Sequence, residues 1–148
     1  MAARSNPWSP IRRKIMEKIV ICADVIAEFQ GKLVLVQRLD TPAGLALPGG
    51  KQDPGEFLSE TARREMLEET GLKFEIEKVL GTFADPGRDP RGRRISTVFT
   101  GRATGTPKDE PQKTKVVFWE IEKLPDIKDQ LLFDHREVLD RYLNTKKN

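Results

Sequence analysis

The chain has 148 residues, of which 37% are hydrophobic and 33% charged, and its formal net charge is +3. This length allows one domain with one core, and the recurring apolar runs exclude a disordered chain. No apolar run approaches the roughly 20 residues that a membrane helix needs, and one cysteine cannot form a disulfide within the chain. We therefore expect a cytoplasmic protein with no membrane partner, and the modest charge does not require a nucleic-acid partner.

The first part of the chain predicts an arm followed by a β-hairpin. Residues 1–16, which contain two prolines, are interpreted as an N-terminal arm, and residues 17–145 as one domain. The β-branched run from Lys18 to Phe29 predicts a strand, and the turn Gln30-Gly31-Lys32 leads into a second strand, LVLVQR. The proline- and glycine-bearing segment that follows, 39–50, predicts a loop with one short strand at LALP.

The second part predicts two helices separated by strands. Residues 57–70 lack proline and glycine, so we expect a helix that ends at Gly71. Three further strands are predicted at 73–84, 94–103 and 114–121. A last helix should begin near Asp134, whose carboxylate would cap it while Glu137 completes a capping box. These elements predict a mixed α/β domain, most simply a sheet sandwiched by helices.

The helix at 57–70 carries an unusual group of acids. At about 100° per residue, Glu65, Glu68 and Glu69 fall within roughly 100° of one another, on the apolar side of the helix. Such carboxylates repel each other and resist burial unless a cation or arginine neutralises them, and oxygen ligands suit Mg²⁺ or Mn²⁺. The alternative is an ordinary solvated acidic face. The adjoining loop LPGGKQDPG favours the metal site, because it can bring backbone carbonyls close to the helix.

The spacing of this segment resembles a known family motif. Gly50, five residues, Glu56, seven residues, Arg64-Glu65-Met66, one residue, Glu68-Glu69, one residue and Gly71-Leu72 match every specified position of the Nudix box. The resemblance implies a Nudix-type α/β/α sandwich with a mixed sheet. It also implies metal-dependent hydrolysis of the pyrophosphate of a nucleoside diphosphate linked to a further group X.

The resemblance further implies roles for individual residues of the motif. The metal ligands would be the Gly49 carbonyl, Glu65 and Glu69, with Glu68 as ligand or base; Gly50, Glu56 and Gly71 would be structural. Arg64 would pair with Glu56, and we group it with the catalytic residues because its bidentate bonds can fix the glutamates in one geometry.

A carboxylate is also our candidate for the catalytic base. Glu68 is one choice, and the other is Glu110, in the loop TGTPKDEPQ. That loop could fold over the metals as a mobile lid, which would bring Glu110 to the substrate. The alternative is that Glu110 is a solvated loop acid.

The segment FADPGRDPRGRRISTVF, residues 83–99, suggests where the substrate binds. Beside a phosphate-cleaving site its arginines suit phosphate or ribose, although an exposed basic hairpin loop is the simpler interpretation. The segment resembles the DPxRDPRGH signature of small ADP-ribose pyrophosphatases, with Arg93 in place of the histidine, and LLFDHREVL resembles their FDHxxIL element. Lys115 stands where such proteins often have glutamate. We assign substrate binding to Arg88, Asp89 and Arg91.

These resemblances imply hydrolysis of ADP-ribose to AMP and ribose 5-phosphate with Mg²⁺, or Mn²⁺ in its place, in a protein that forms a homodimer. Three alternatives stay open. One is a house-cleaning triphosphatase acting on 8-oxo-dGTP, another is a non-catalytic ADP-ribose-sensing module, and the third is removal of RNA caps through the basic arm. The arginine-rich segment argues against the first, and the full set of box carboxylates argues against the second.

Overall fold

The computed structural model describes residues 18–147, so the predicted N-terminal arm at 1–16 lies outside the described residues. The strands are β1 (Val20–Phe29), β2 (Lys32–Arg38), β3 (Gly44–Ala46), β4 (Gly49–Lys51), β5 (Lys73–Phe83), β6 (Arg94–Thr104) and β7 (Thr114–Glu120). The α-helices are α1 (Leu58–Thr70) and α2 (His135–Lys146), and two 3₁₀ helices, Ile121–Asp126 and Lys128–Gln130, precede α2. No helix within 18–147 has the length and apolar character needed to span a bilayer.

The strands form one mixed sheet of seven strands. Its main path runs β3-β2-β1-β6-β5, while β4 pairs with β1 and β7 pairs with β2. The β1 and β6 strands are parallel, from Val20 opposite Arg94 to Glu28 opposite Arg102, and the other ladders are antiparallel. This parallel pairing joins segments more than seventy residues apart in the sequence. It brings the start of β1 beside the arginine-rich segment that leads into β6.

Each face of the sheet is covered by one of the two α-helices. Side chains alternate along β1, so Val25 joins a buried cluster with Ala62 and Met66 of α1, whereas Ile26 joins a cluster with Leu139 of α2. The result is an α/β/α sandwich, which confirms the predicted fold class. The strand predictions hold to within a few residues, except that the glycine-rich loop forms two short strands, β3 and β4.

Helix α1 ends as its sequence predicts. Gly71 adopts a left-handed backbone with φ of 74°, and its N–H donates to the Leu67 carbonyl at 2.9 Å. The loop after β6 packs directly against it, since an added Cβ would lie 2.8 Å from the Cβ of Lys108 and 2.9 Å from its backbone nitrogen. Gly71 is therefore required both by its own backbone angle and by the loop that lies on it.

The predicted capping box of the last helix is wrong. The helix does begin after Asp134, but the Asp134 side chain makes no capping hydrogen bond. Its two carboxylate oxygens instead accept hydrogen bonds from Arg88, 46 residues earlier in the chain. A charged bidentate pair in a buried position outcompetes a single bond to a backbone N–H.

Comparison with Gly55 separates the effect of the left-handed backbone of Gly71 from the effect of its contact with the Lys108 loop. Gly55 also has a left-handed backbone, with φ of 84°, but an added Cβ there would meet nothing within 4 Å. We expect Gly55→Ala to lower the free energy of unfolding by about 1 kcal/mol and Gly71→Ala by about 2 kcal/mol or more, since the second change adds a steric clash. Urea denaturation measures both values. Equal losses would contradict the close packing of the Lys108 loop on Gly71.

Candidate active site

The site begins where β4 approaches helix α1. The pairing of β4 with β1 places Gly49 opposite Asp24 and Gly50 opposite Ala23. The Gly49 N–H donates to a carboxylate oxygen of Glu69 at 3.3 Å, and an added Cβ on Gly50 would lie 2.5 Å from the carboxyl carbon of Glu65. A side chain at Gly50 would therefore displace the Glu65 carboxylate. Gly50 thus allows the strand to lie against the acids of α1, while the missing side chain of Gly49 allows its close approach to Asp24 and Ala23 of β1.

Glu69 is a buried acid beside a second acid. Its relative exposure is 7%, in agreement with the prediction that it lies on the inward face of α1. Burial raises its pKa well above the usual value, and the neighbouring Glu65 carboxylate, within hydrogen-bonding distance, raises it further, while the bond from the Gly49 N–H lowers it. In the absence of a cation, the Glu65–Glu69 pair therefore favours retaining a proton on Glu69.

Arg64 organises the remaining acids of α1. Its Nε and Nη2 donate to the two oxygens of Glu56 at 2.7 and 3.0 Å, and its Nη1 lies 2.8 Å from Glu65 and 3.3 Å from Glu68. The hydrogen bonds from Arg64 lower the pKa of Glu56 to about 2. Nη2 also donates to the Lys51 carbonyl at 2.9 Å. Arg64 thus fixes β4, the DPG turn and α1 relative to one another.

The acids are suited to a metal ion but are not arranged around a single point. Within residues 18–147, no three His, Cys, Asp or Glu side chains converge as ligands for one ion. The reason is visible at Arg64, which attracts the carboxylates of Glu65 and Glu68 toward itself. Glu69 and Glu65 remain adjacent, and a divalent cation between them would relieve the repulsion that now raises the pKa of Glu69. Glu68 is half exposed, at the solvent edge of this group.

Glu110 lies near these acids in a loop that is fastened to α1. The Lys108 N–H donates to the Thr70 carbonyl at 2.8 Å, and the Thr114 hydroxyl donates to the Glu69 carbonyl at 3.1 Å. Burial raises the pKa of Glu110, and the charges of Glu68 and Glu65 contribute to the rise. The mobile lid stays a prediction; in the structure this loop is bonded on both sides of Glu110 to the C-terminal end of α1.

Arg88 is held inside the protein. Its Nε and Nη2 donate to the two oxygens of Asp134 at 2.9 and 2.7 Å, and its side chain is 4% exposed. The same Nη2 lies 3.7 Å from Asp24. We predicted that Arg88 grips the substrate through a bidentate pair, but in the structure that pair is made with Asp134. The physical reason is that two buried acids near one arginine compensate its charge more completely than a solvent-exposed ligand site would.

Asp24 is a buried acid that the sequence analysis did not identify. It accepts a hydrogen bond from the Ser96 hydroxyl at 2.6 Å and lies 3.5 Å from Nε2 of His135. Burial would raise the pKa of Asp24, but His135, Ser96 and Arg88 together lower it. The Leu47 N–H donates to Nδ1 of His135 at 3.0 Å, so the histidine proton lies on Nε2, facing Asp24. The feature of the sequence that could have indicated this buried acid is an aspartate within the apolar run IVICADVIA.

Asp89 and Arg91 form a second pair in the arginine-rich segment. Arg91 donates to Asp89 through Nε at 3.1 Å, through Nη2 at 2.8 Å and through its backbone N–H at 2.9 Å. The Asp89 side chain is 3% exposed, whereas that of Arg91 is 31% exposed. Asp89, which we predicted to bind substrate, therefore contacts Arg91 directly. Of the three predicted substrate-binding residues, Arg91 offers the most surface to a ligand.

A pocket joins these parts of the site. Its lining combines the buried acid and the glycines of the box with arginines from two segments and an aromatic ring, and includes Gly49, Gly50, Glu69, Arg38, Arg91 and Phe133. Glu65, Glu68 and Glu110 are not among the residues that line this pocket. The sequence analysis missed Arg38, the last residue of β2, and Phe133. Their signals were an arginine ending an apolar strand and the aromatic residue of the FDH element.

Comparisons with known proteins agree with this geometry. The family model described as NUDIX domain matches residues 18–142. The chain is 35% identical over 129 residues to an ADP-ribose pyrophosphatase of Methanocaldococcus jannaschii, which covers 85% of this chain and 74% of that protein. Over 74 residues it is 44% identical to a putative 8-oxo-dGTP diphosphatase of Bacillus subtilis, which covers 50% of this chain and 46% of that protein.

The fold has a solved counterpart in the NUDIX domain of Shewanella oneidensis NrtR, whose structure was determined as a complex with ADP ribose. The two share 22% sequence identity with a TM-score of 0.76, over 95% of this chain and 99% of that chain. The family model covers most of the described residues, and the resemblance to the Nudix family is thereby confirmed. The chain belongs to the Nudix hydrolase family.

Proposed function

We propose that this chain hydrolyses the pyrophosphate bond of ADP-ribose, giving AMP and ribose 5-phosphate, with the help of a divalent metal ion. The observation that carries the proposal is one pocket in which buried Glu69 and Gly49 face the arginines Arg38 and Arg91. Such a pocket offers acid oxygens for a cation and guanidinium groups for phosphates. The 35% identity with an ADP-ribose pyrophosphatase over most of both chains supports the substrate.

The metal would be held by the carboxylates of Glu65 and Glu69 and the carbonyl oxygen of Gly49, with Glu68 as a further ligand or as the base. These oxygen donors suit Mg²⁺ and Mn²⁺. A bound divalent ion neutralises the charge of the pyrophosphate and makes water a stronger nucleophile. Arg64 would hold Glu56 and strand β4 in place through its bonds to the Glu56 carboxylate and the Lys51 carbonyl.

The reaction itself is a displacement at phosphorus. A water oxygen forms a bond to one phosphorus of the pyrophosphate, and the bond from that phosphorus to the bridging oxygen breaks. The bridging oxygen leaves with the other phosphate, while a carboxylate accepts the proton of the attacking water. Glu68 and Glu110 are our candidates for this base, because both lie beside the acids of α1.

The first prediction concerns Glu69. Glu69→Gln keeps the side-chain shape but removes the charge, so we expect turnover to fall by several orders of magnitude, on the order of a thousandfold, and the rise of Tm on adding Mg²⁺ to disappear. Removing divalent ions with a chelator should abolish activity reversibly. The stability of the metal-free variant should not fall, since glutamine is neutral, like the protonated Glu69 that burial favours. Exposed Glu137→Gln on α2 is the matched control. Near-normal turnover of the Glu69 variant would refute the metal assignment.

A second prediction distinguishes the two candidate bases. Replacing the base with glutamine should lower kcat by more than about a hundredfold while leaving KM nearly unchanged, because proton transfer occurs only in the transition state. Steady-state kinetics of Glu68→Gln and Glu110→Gln, measured side by side, use each variant as the control for the other. If neither change lowers kcat more than about tenfold, the base is a different group.

A third prediction tests the substrate. We expect higher kcat/KM for ADP-ribose than for 8-oxo-dGTP, and a KM for ADP-ribose that increases roughly thirtyfold in Arg91→Ala with a smaller change in kcat. Arg102→Ala, which removes an exposed arginine paired with Glu77, is the control and should leave both constants unchanged. Product analysis by chromatography measures the two substrates in parallel.

The outcome also decides between the alternative functions. Faster turnover of 8-oxo-dGTP would favour the triphosphatase, for which the similarity to the Bacillus subtilis protein is the supporting observation. Binding of ADP-ribose without any product would favour a sensing module. The homodimer expected from the resemblance stays a prediction.

A further inference from the structure

The segment Phe133-Asp134-His135 connects separate parts of the site. Asp134 accepts two hydrogen bonds from Arg88 of the arginine-rich segment, and His135 accepts one from the Leu47 N–H, two residues before Gly49. Phe133 precedes these anchors and has a positive φ of 58°, which a residue of its size rarely adopts. A strained backbone persists where its neighbours are firmly fixed, and such positions are often functional.

The Phe133 ring lies against the guanidinium groups of two arginines. The guanidinium carbon of Arg91 lies 5.0 Å from the ring centroid and that of Arg38 lies 5.9 Å from it. His135 contacts the ring edge-on, with 5.1 Å between centroids, which limits the ring to one orientation. One aromatic side chain therefore contacts cations from two different segments, the end of β2 and the loop before β6.

The two arginines lie against the same ring, with acids close to both. Burial lowers the pKa of Arg38, and the charge of Arg91 lowers it further, whereas the charges of the nearby acids Glu69, Asp40 and Asp89 raise it. The Nε of Arg38 donates to the Pro42 carbonyl at 2.9 Å, and no ion pair of Arg38 is found within residues 18–147. Arg91 is already paired with Asp89, whereas Arg38 is not paired in the described part of the chain, and an anion placed between the two guanidinium groups would bond to both. The pocket they line also contains Gly49 and Glu69.

We propose that Phe133 is a positioning residue whose ring holds the guanidinium groups of Arg38 and Arg91 together, so that they bind a phosphate of a nucleoside diphosphate. The proposal rests on the proposed function in one respect, namely that this pocket receives the diphosphate of the substrate. Phe133 does not contact the reacting atoms. It acts through the two arginines, and its loss separates them.

The test measures binding of ADP in the presence of Mg²⁺ by calorimetry, together with KM and kcat for ADP-ribose. We expect Phe133→Leu to raise the Kd of ADP and the KM roughly tenfold with little change in kcat, because ground-state phosphate contacts are weakened. Phe133→Tyr keeps the ring, so the Kd of ADP and the KM for ADP-ribose should stay close to those of the unaltered protein. Phe133→Asn suits the left-handed backbone, lacks the ring, and serves as a second variant if the leucine variant does not fold.

The matched control is Phe83→Leu. The Phe83 ring also carries an arginine, since the guanidinium carbon of Arg141 lies 5.5 Å from its centroid, but neither residue lines the active-site pocket. This control should change neither Kd nor KM. Equal behaviour of the Phe133 and Phe83 variants would overturn the proposal, and so would a failure of the unaltered protein to bind ADP.

A combined variant establishes whether Phe133 acts through the arginines. In a protein already carrying Arg38→Ala and Arg91→Ala, Phe133→Leu should have no further effect on ADP binding. A full additional loss would show that the ring contacts the nucleotide itself, which overturns the positioning role. The proposed function is tested separately: if the unaltered protein binds ADP with this pattern but does not cleave ADP-ribose, the substrate proposal fails and the inference about Phe133 stands.

Discussion

The close approach of a glycine strand to the acidic face of a helix is the constraint on which the site depends. Strand β4 lies so near α1 that a single methyl group on Gly50 would occupy the place of the Glu65 carboxylate. The same approach allows the Gly49 N–H to bond to Glu69. Because β4 is paired with β1, this distance is set by the ladder of the sheet and not by the loop alone. The backbone of β4 thus places its polar groups beside the buried Glu69 and the neighbouring Glu65.

Charge compensation explains the surroundings of that pair. Arg64 compensates Glu56 and Glu65, and Arg88 compensates Asp134 and Asp24. Within residues 18–147, no buried side-chain nitrogen or oxygen lacks a hydrogen-bond partner. Glu69 stands apart, since its side-chain contacts are one long bond from a backbone N–H and a neighbouring carboxylate. In the same pocket lie Arg38, whose Nε donates to the Pro42 carbonyl, and Arg91, which is paired with Asp89. In the proposed function, a ligand that carries both a cation and phosphates would complement the charges of Glu69 and Arg38 together.

Local sequence patterns predicted much of the fold and fewer of the contacts. The end of α1 at Gly71 and the course of β5, β6 and β7 follow from glycine placement and β-branched runs. The parallel pairing of β1 with β6 joins distant segments, so no local pattern encodes it. The role of Asp134 was mispredicted for the same reason, because its partner Arg88 lies 46 residues away. In the sequence, Asp24 is an isolated acid in an apolar strand, and this pattern does not predict which residues it contacts.

The arginine-rich segment has a buried base and an exposed tip, and this division has a consequence for evolution. Arg88 anchors the base to Asp134 with almost no exposure, while Arg91 at the tip remains accessible. Substitutions at the tip would leave the anchor undisturbed, because the two ion pairs share no residue. In the proposed function, the ligand that is recognised could therefore change through this tip while the fold beneath it stays the same.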